Sequence, residues 1–189
     1  MRDMAYKELR DILNPNIIDC INQEKGVAVL KENNPNSKLK KLEIHGLHKE
    51  AVVFKLDVDK PAFKCKSPYL NPGERGLHSG CDYVIATSKE QRNILLFCEL
   101  KSNDIGGGKQ QLLSATPFAD YLFSLLRIHK NISRDVINSF EKHFVLFRTR
   151  GRINKQRVKN DKLRKEPFEG INIKMGENPG QIDISKIIQ

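Results

Sequence analysis

Two acids and an amine dominate the chemistry this chain can support. Asp82 stands near the start of the apolar run Cys81-Asp82-Tyr83-Val84-Ile85, and Glu99 and Lys101 end the run Ile94-Leu95-Leu96-Phe97-Cys98-Glu99-Leu100-Lys101. Carboxylates from two neighbouring strands, joined by a backbone carbonyl such as that of Leu100 and by water, form the oxygen-rich half-shell that Mg²⁺ or Mn²⁺ accepts. A cation held there polarises a phosphoryl oxygen, lowers the pKa of bound water and stabilises a leaving oxygen. A lysine beside it orients the attacking water and offsets the charge that grows on the phosphate. The expected chemistry is metal-assisted hydrolysis of a phosphodiester.

That chemistry requires the three groups to meet, and side-chain alternation supplies the means. In a strand, residues i and i+2 share a face, so Leu95, Phe97, Glu99 and Lys101 lie on one side and Ile94, Leu96, Cys98 and Leu100 on the other. Apolar residues on both faces mark a central strand covered on both sides, with Glu99 and Lys101 at the edge of a buried layer. The polar stretch Ala86 to Asn93 reads as a hairpin loop returning the second strand antiparallel to the first, which brings Asp82 and Glu99 to the same end.

These residues resemble the D…(D/E)xK signature of the PD-(D/E)xK nuclease superfamily, the restriction-endonuclease-like fold. The resemblance covers roughly Leu56 to Arg148. It extends to the order of elements: strand, hairpin strand, Glu-Leu-Lys, a glycine-bearing loop, a glutamine-bearing helix and an apolar strand. The proline of the signature is Cys81 here. The resemblance implies an α/β fold with a central mixed β-sheet flanked by helices and a metal-dependent nuclease activity, with DNA as the expected substrate, in restriction, phage defence or repair. It assigns Asp82, Glu99 and the Leu100 carbonyl to Mg²⁺ or Mn²⁺, Lys101 to positioning water, and an assisting role to Gln111, which stands in a Gln-Leu pattern after Glu-Leu-Lys. Family members also recruit a further upstream acid, for which Glu8, Glu50, Asp57, Asp59 and Glu74 are the candidates.

Length and charge fit such an activity. At 189 residues the chain suits a single domain, with a core over about 42–148. The formal net charge is +10, and much of the excess falls between Arg148 and Lys165. Arg148, Arg150, Arg152, Lys155, Arg157, Lys159, Lys162, Arg164 and Lys165 stand there against one acid, Asp161. Such a cluster attracts phosphate backbones by counterion release, and it reads as a basic loop or short helix that contacts nucleic acid. A nuclease of this size without a recognition domain would gain selectivity from a homodimer, from a protein partner or from DNA structure. No apolar run reaches membrane-spanning length and the N-terminus has no signal-peptide core, so a cytoplasmic location is expected. The cysteines lie singly, which suits reduced thiols. His78, Cys81 and Cys65 are a weak zinc alternative because only one close ligand pair is present.

Elsewhere the pattern predicts a helix over Met4–Ile12, helical turns over Ile17–Asn22, a strand at Val27–Leu30, and a strand pair, Leu42–His45 with Ala51–Val58. A helix from about Lys109 carries Pro117, so a kink or two pieces is expected. Ser133 caps a second helix through Phe140, a strand spans Phe144–Phe147, and 166–189 reads as C-terminal strands, with Gly170–Met175 and Ile182–Ile188 adding edge strands or packing against the domain. Two other function classes stay open: an inactive nucleic-acid-binding module of the same fold, and an interaction subunit of a larger complex.

Overall fold

The computed structural model describes residues 2–19, 21–22, 24–32, 37–58, 61–64, 67, 69–74, 76–101, 107–149, 163–177 and 180–189. Its strands are β1 (Ile18–Asp19), β2 (Ile21–Asn22), β3 (Val27–Lys31), β4 (Lys41–His45), β5 (Val52–Lys55), β6 (Tyr83–Lys89), β7 (Arg92–Lys101), β8 (Phe140–Arg148), β9 (Arg164–Phe168), β10 (Ile171–Glu177) and β11 (Gln181–Asp183). Its helices are α1 (Arg2–Ile12), α2 (Pro61–Lys64), α3 (Gly108–His129), α4 (Arg134–Asn138) and α5 (Ile184–Ile188).

The alternation along β7 organises the molecule. β7 is the fourth strand of a seven-stranded mixed sheet, ordered β1-β5-β6-β7-β8-β10-β9. It pairs antiparallel with β6 and parallel with β8, which is itself parallel to β10. Leu95 and Phe97 face a core built with α1 and α3, where they meet Leu9, Leu112, Leu122 and Leu126. Ile94, Leu96, Cys98 and Leu100 face a second core under a four-stranded sheet, β11-β4-β3-β2, and α5. The architecture is therefore α/β in three layers, with helices covering one face of the main sheet and mainly a smaller sheet covering the other. Each large side chain buried in either core contributes about 1.5–3 kcal/mol. No helix among the described residues is long and apolar enough to cross a membrane.

Several elements differ from expectation for local reasons. The hairpin loop is only Glu90-Gln91, both with positive φ (49° and 64°), the geometry that keeps two strands twisting together. The polar residues around it are strand, because Thr87 and Asn93 are buried and hydrogen-bonded: His48 N donates to Thr87 Oγ1 at 3.0 Å, and Asn93 Nδ2 donates to Ser139 Oγ at 2.7 Å. β4 and β5 do not pair. Gly46, at φ +77°, lets the chain leave one sheet, so that β4 joins β3 while β5 joins β6. Residues Pro15–Ile17 form a 3₁₀ turn, and Ile18–Asn22 carries short strands rather than helix. α3 runs on as one helix through Pro117. At the C-terminus, β10 lies inside the sheet between β8 and β9, and Ile184–Ile188 is a helix, not a strand. Asp183 caps it by accepting a hydrogen bond from Ser185 N at 2.8 Å.

α1 is pinned to the main sheet through Tyr6. Its buried hydroxyl donates to Thr87 O at 2.7 Å, with Asn93 Oδ1 at 3.1 Å. Tyr6→Phe leaves both acceptors without this donor, and a loss of about 1–2 kcal/mol is expected in denaturant titration. An unchanged midpoint would show that the hydroxyl contributes nothing to folding.

Candidate active site

Asp82, Glu99, Lys101 and Gln111 come together where β6 begins, β7 ends and α3 starts. Tyr83, the first residue of β6, faces the second core, and Asp82 stands immediately before it, beside the end of β7. Asp82 Oδ2 accepts a hydrogen bond from Leu100 N at 2.6 Å, and Asp82 N donates to Glu99 Oε2 at 3.1 Å. Lys101 Nζ lies 2.6 Å from Glu99 Oε1 and donates to Gln111 Oε1 at 2.7 Å. Gln111 Nε2 reaches Gly80 O at 3.5 Å, on the segment leading into Asp82. Gln110, its neighbour, is exposed. The Lys101 carbonyl accepts from Thr149 N on the β8 side, so alternation turns the Leu100 N–H and C=O toward Asp82.

The electrostatics of the cluster are unbalanced. Glu99 is fully buried, and although Lys101 is close to its Oε1, that oxygen accepts no hydrogen bond of ordinary geometry. Burial first, and then the Asp82 charge, push the Glu99 carboxyl up to about 8. Burial also pushes Asp82 up, to about 7, with the charges of Glu32 and Asp57 adding to it and the Leu100 N–H and Lys101 opposing it. Burial alone would lower Lys101, but Glu99 outweighs it and the ammonium is held more firmly than usual. Two ionised carboxylates beside one ammonium leave a net negative charge in a dry place, which a proton or a cation must answer.

The donor set suits a hard cation. Two carboxylates, one with an under-satisfied oxygen, together with a backbone carbonyl and water, meet the needs of Mg²⁺, which is held by one or two protein carboxylates and keeps several waters. Among the described residues no group of three or more His, Cys, Asp or Glu forms a ligand cluster. The zinc alternative gains nothing from the geometry. Cys81 Sγ is buried and donates to Tyr83 O at 3.2 Å, His78 contacts Asn71 O at 3.3 Å, and Cys65 lies outside the described residues.

Of the further acids expected from sequence that lie among the described residues, Asp57 is the one among the main charges acting on Asp82. Glu8 pairs with Lys130 at 2.9 Å, Glu50 lies beside His48 at the Thr87 end of β6, and Glu74 is exposed. Asp59 falls outside the described residues. Sequence reasoning missed Glu32, which follows β3 in the other sheet. Tyr83 brings it near, since its hydroxyl donates to Lys31 O at 2.8 Å and accepts from Lys31 N at 2.9 Å. A polar residue ending the apolar run Val27-Ala28-Val29-Leu30 was the one available signal.

Gly108 is a second missed residue. A Cβ there would stand 2.9 Å from Leu146 Cδ1, 3.2 Å from Lys101 Cε and 3.5 Å from Glu99 Cγ, so the first turn of α3 lies against the site with no room to spare. For Gly108→Ala, better helix propensity offsets part of the strain, and stability should change by no more than about 1–2 kcal/mol. Shifting Lys101 and Glu99 should lower the rate of any reaction that this cluster carries by at least about 10-fold. Parallel melting and rate measurements check this; equal activity at equal stability would remove Gly108 from the site.

The basic residues divide. Arg148 is a correction to the expected phosphate contacts: it is buried and paired with Glu177, Nη2 to Oε1 at 2.5 Å, because β8 carries it into the sheet beside β10. Arg164 and Lys165 stand exposed on β9, Lys165 donating to Gln189 O at 3.2 Å. At its two described ends the basic stretch is strand, Arg148 on β8 and Arg164 and Lys165 on β9. Arg150, Arg152, Lys155, Arg157, Lys159 and Lys162 lie outside the described residues. No known protein family, curated protein or solved structure matches this chain.

Proposed function

We propose that this protein is a metal-dependent nuclease of PD-(D/E)xK, restriction-endonuclease-like type, hydrolysing phosphodiester bonds, with DNA as its substrate. The observation that carries the reading is the convergence of Asp82, Glu99 and Lys101 through contacts of 2.6–3.1 Å, from strands that meet only when the sheet forms. The succession β5, β6, β7, α3, β8, with one acid just before β6, the other near the end of β7 and the glutamine on α3, supports the same reading.

Asp82, Glu99 and the Leu100 carbonyl would hold Mg²⁺ or Mn²⁺. Bound there, the cation supplies Lewis-acid activation of a phosphoryl oxygen and of water. Lys101 keeps its proton at Nζ, since its pKa is raised, so it acts as a donor and a positive charge and not as a base. Glu99 and Gln111 fix that ammonium between them, which pre-aims it before substrate arrives. The net positive charge draws the phosphate backbone in, with Arg164 and Lys165 among the contributing side chains.

Supercoiled plasmid and short oligonucleotides incubated with Mg²⁺ or Mn²⁺ test the reading. Nicked or cut product is expected with metal and none with a chelator, and Asp82→Asn should remove it. Salt-sensitive binding without cleavage under every metal would overturn the proposal in favour of an inactive binding module.

A further inference from the structure

One turn along α3 from Gln111, the surface opens into a groove of about 480 Å³, within the roughly 300–1,000 Å³ typical of ligand sites. α3 contributes Ser114, Pro117, Phe118 and Tyr121 to its walls, and the segment after α2 contributes Tyr69 and Leu77. Gly80 also lines it, and the Gly80 carbonyl is the group that Gln111 Nε2 reaches. The groove and the carboxylate cluster thus share a wall. Residues 111 and 114 stand about 5–6 Å apart along the helix face, a step that one nucleotide can span.

The lining has an unusual chemistry. Tyr69 is 95% exposed, Tyr121 58% and Leu77 46%, so these side chains add little to the core. Among the described residues no charged one lines the groove, so those walls offer nothing to a phosphate. The chain that carries these walls has a formal net charge of +10. Neutral aromatic walls on a protein of net positive charge suit a nucleobase, whose faces stack on tyrosine while the overall charge attracts the backbone. In a continuous duplex those faces are covered by neighbouring pairs, so the occupant must be an unpaired base.

We propose that this groove receives an unstacked base adjacent to the scissile phosphate, which makes single-stranded nucleic acid the preferred substrate. The proposal deepens the nuclease reading and rests on it for the position of the cut. The test uses the full chain with oligonucleotides carrying the fluorescent base 2-aminopurine at successive positions, single-stranded or annealed, with Ca²⁺ replacing Mg²⁺ so that binding is read without cleavage. Fluorescence quenching at one or two positions of the single strand is expected. Tyr121→Ala and Tyr69→Ala should each weaken single-strand affinity by about 10- to 100-fold, Tyr121→Phe should restore it, and duplex affinity should stay put. Both tyrosines are exposed, so these variants should fold.

Equal single-strand affinity in wild type and the double alanine variant, or tighter binding of continuous duplex without quenching, would overturn the groove assignment. If Mg²⁺-dependent cleavage persists in that case, the nuclease reading stands alone. Quenching that depends on Tyr121, in a protein that cuts nothing, would retain the groove as a base site and remove the nuclease reading.

Discussion

Lys101→Ala is expected to lower phosphodiester cleavage by about 10²- to 10⁴-fold, the range typical of a positioned donor or acid–base group, while leaving nucleic-acid affinity within a few-fold. The ammonium stands between Glu99 Oε1 and Gln111 Oε1 and is three-quarters buried. It is therefore poorly placed for long-range attraction and well placed for short-range charge stabilisation. Lys101→Arg should not rescue the rate, because a planar fork cannot occupy a space shaped for a single nitrogen between two oxygens. Stability should respond in a pH-dependent way. Losing one partner of a buried pair usually costs about 3–5 kcal/mol, but Glu99 can escape that cost by keeping a proton. The variant should thus match wild-type stability at pH 6 and fall behind it by pH 9, where holding that proton becomes unfavourable. Single-turnover rates and melting curves at the two pH values check both parts. Cleavage within a factor of ten of wild type would exclude Lys101 from the chemistry.

The convergence of Asp82, Glu99, Lys101 and Gln111 could be read from sequence because each placement follows from a short-range rule. Alternation puts Glu99 and Lys101 on one face, and the hairpin sets Asp82 opposite them. The glutamine lies one helical turn past the glycine loop. What stayed hidden depends on docking between distant parts. Glu32 matters only because the smaller sheet packs so that Tyr83 grips Lys31, a contact across 52 residues that no local pattern encodes. The tight fit of Gly108 likewise requires α3 to lie directly on β7 and β8. Within Ile182–Ile188, the part from Ile184 on misled for the opposite reason. Its isoleucines favour strand locally, whereas burial of Ile184, Ile187 and Ile188 against the second core, with Asp183 as cap, favours a helical turn. The same tertiary override separated β4 from β5, whose closeness in sequence suggested a hairpin.

The second large effect concerns metal and protons together. A carboxyl whose native pKa is raised holds a proton that the unfolded chain has released, so stability is highest below the unfolded value, near 4, and is lost as pH rises toward the native value. For Asp82 and Glu99 the loss runs from about pH 4 to about pH 7 and 8. His143, whose pKa is lowered by burial, works the other way in the acid part of that range. The clean comparison is therefore wild type against Glu99→Gln, which keeps an oxygen for Asp82 N. The variant should be the more stable at pH 8, by about 1–3 kcal/mol, and equal to wild type below pH 5. Mg²⁺ or Mn²⁺ should reverse that order. At 100 times its dissociation constant a cation adds about 2.7 kcal/mol to a protein that binds it, so wild type should gain in melting temperature while Glu99→Gln and Asp82→Asn gain nothing. Binding must also expel the protons the two acids hold at pH 7. Calorimetric titrations in buffers of different ionisation enthalpy should accordingly show proton release for each cation bound, shrinking as pH approaches 9. A metal-induced rise in melting temperature that survives both substitutions, or binding without proton release, would place the cation elsewhere and take the chemistry of this cluster with it.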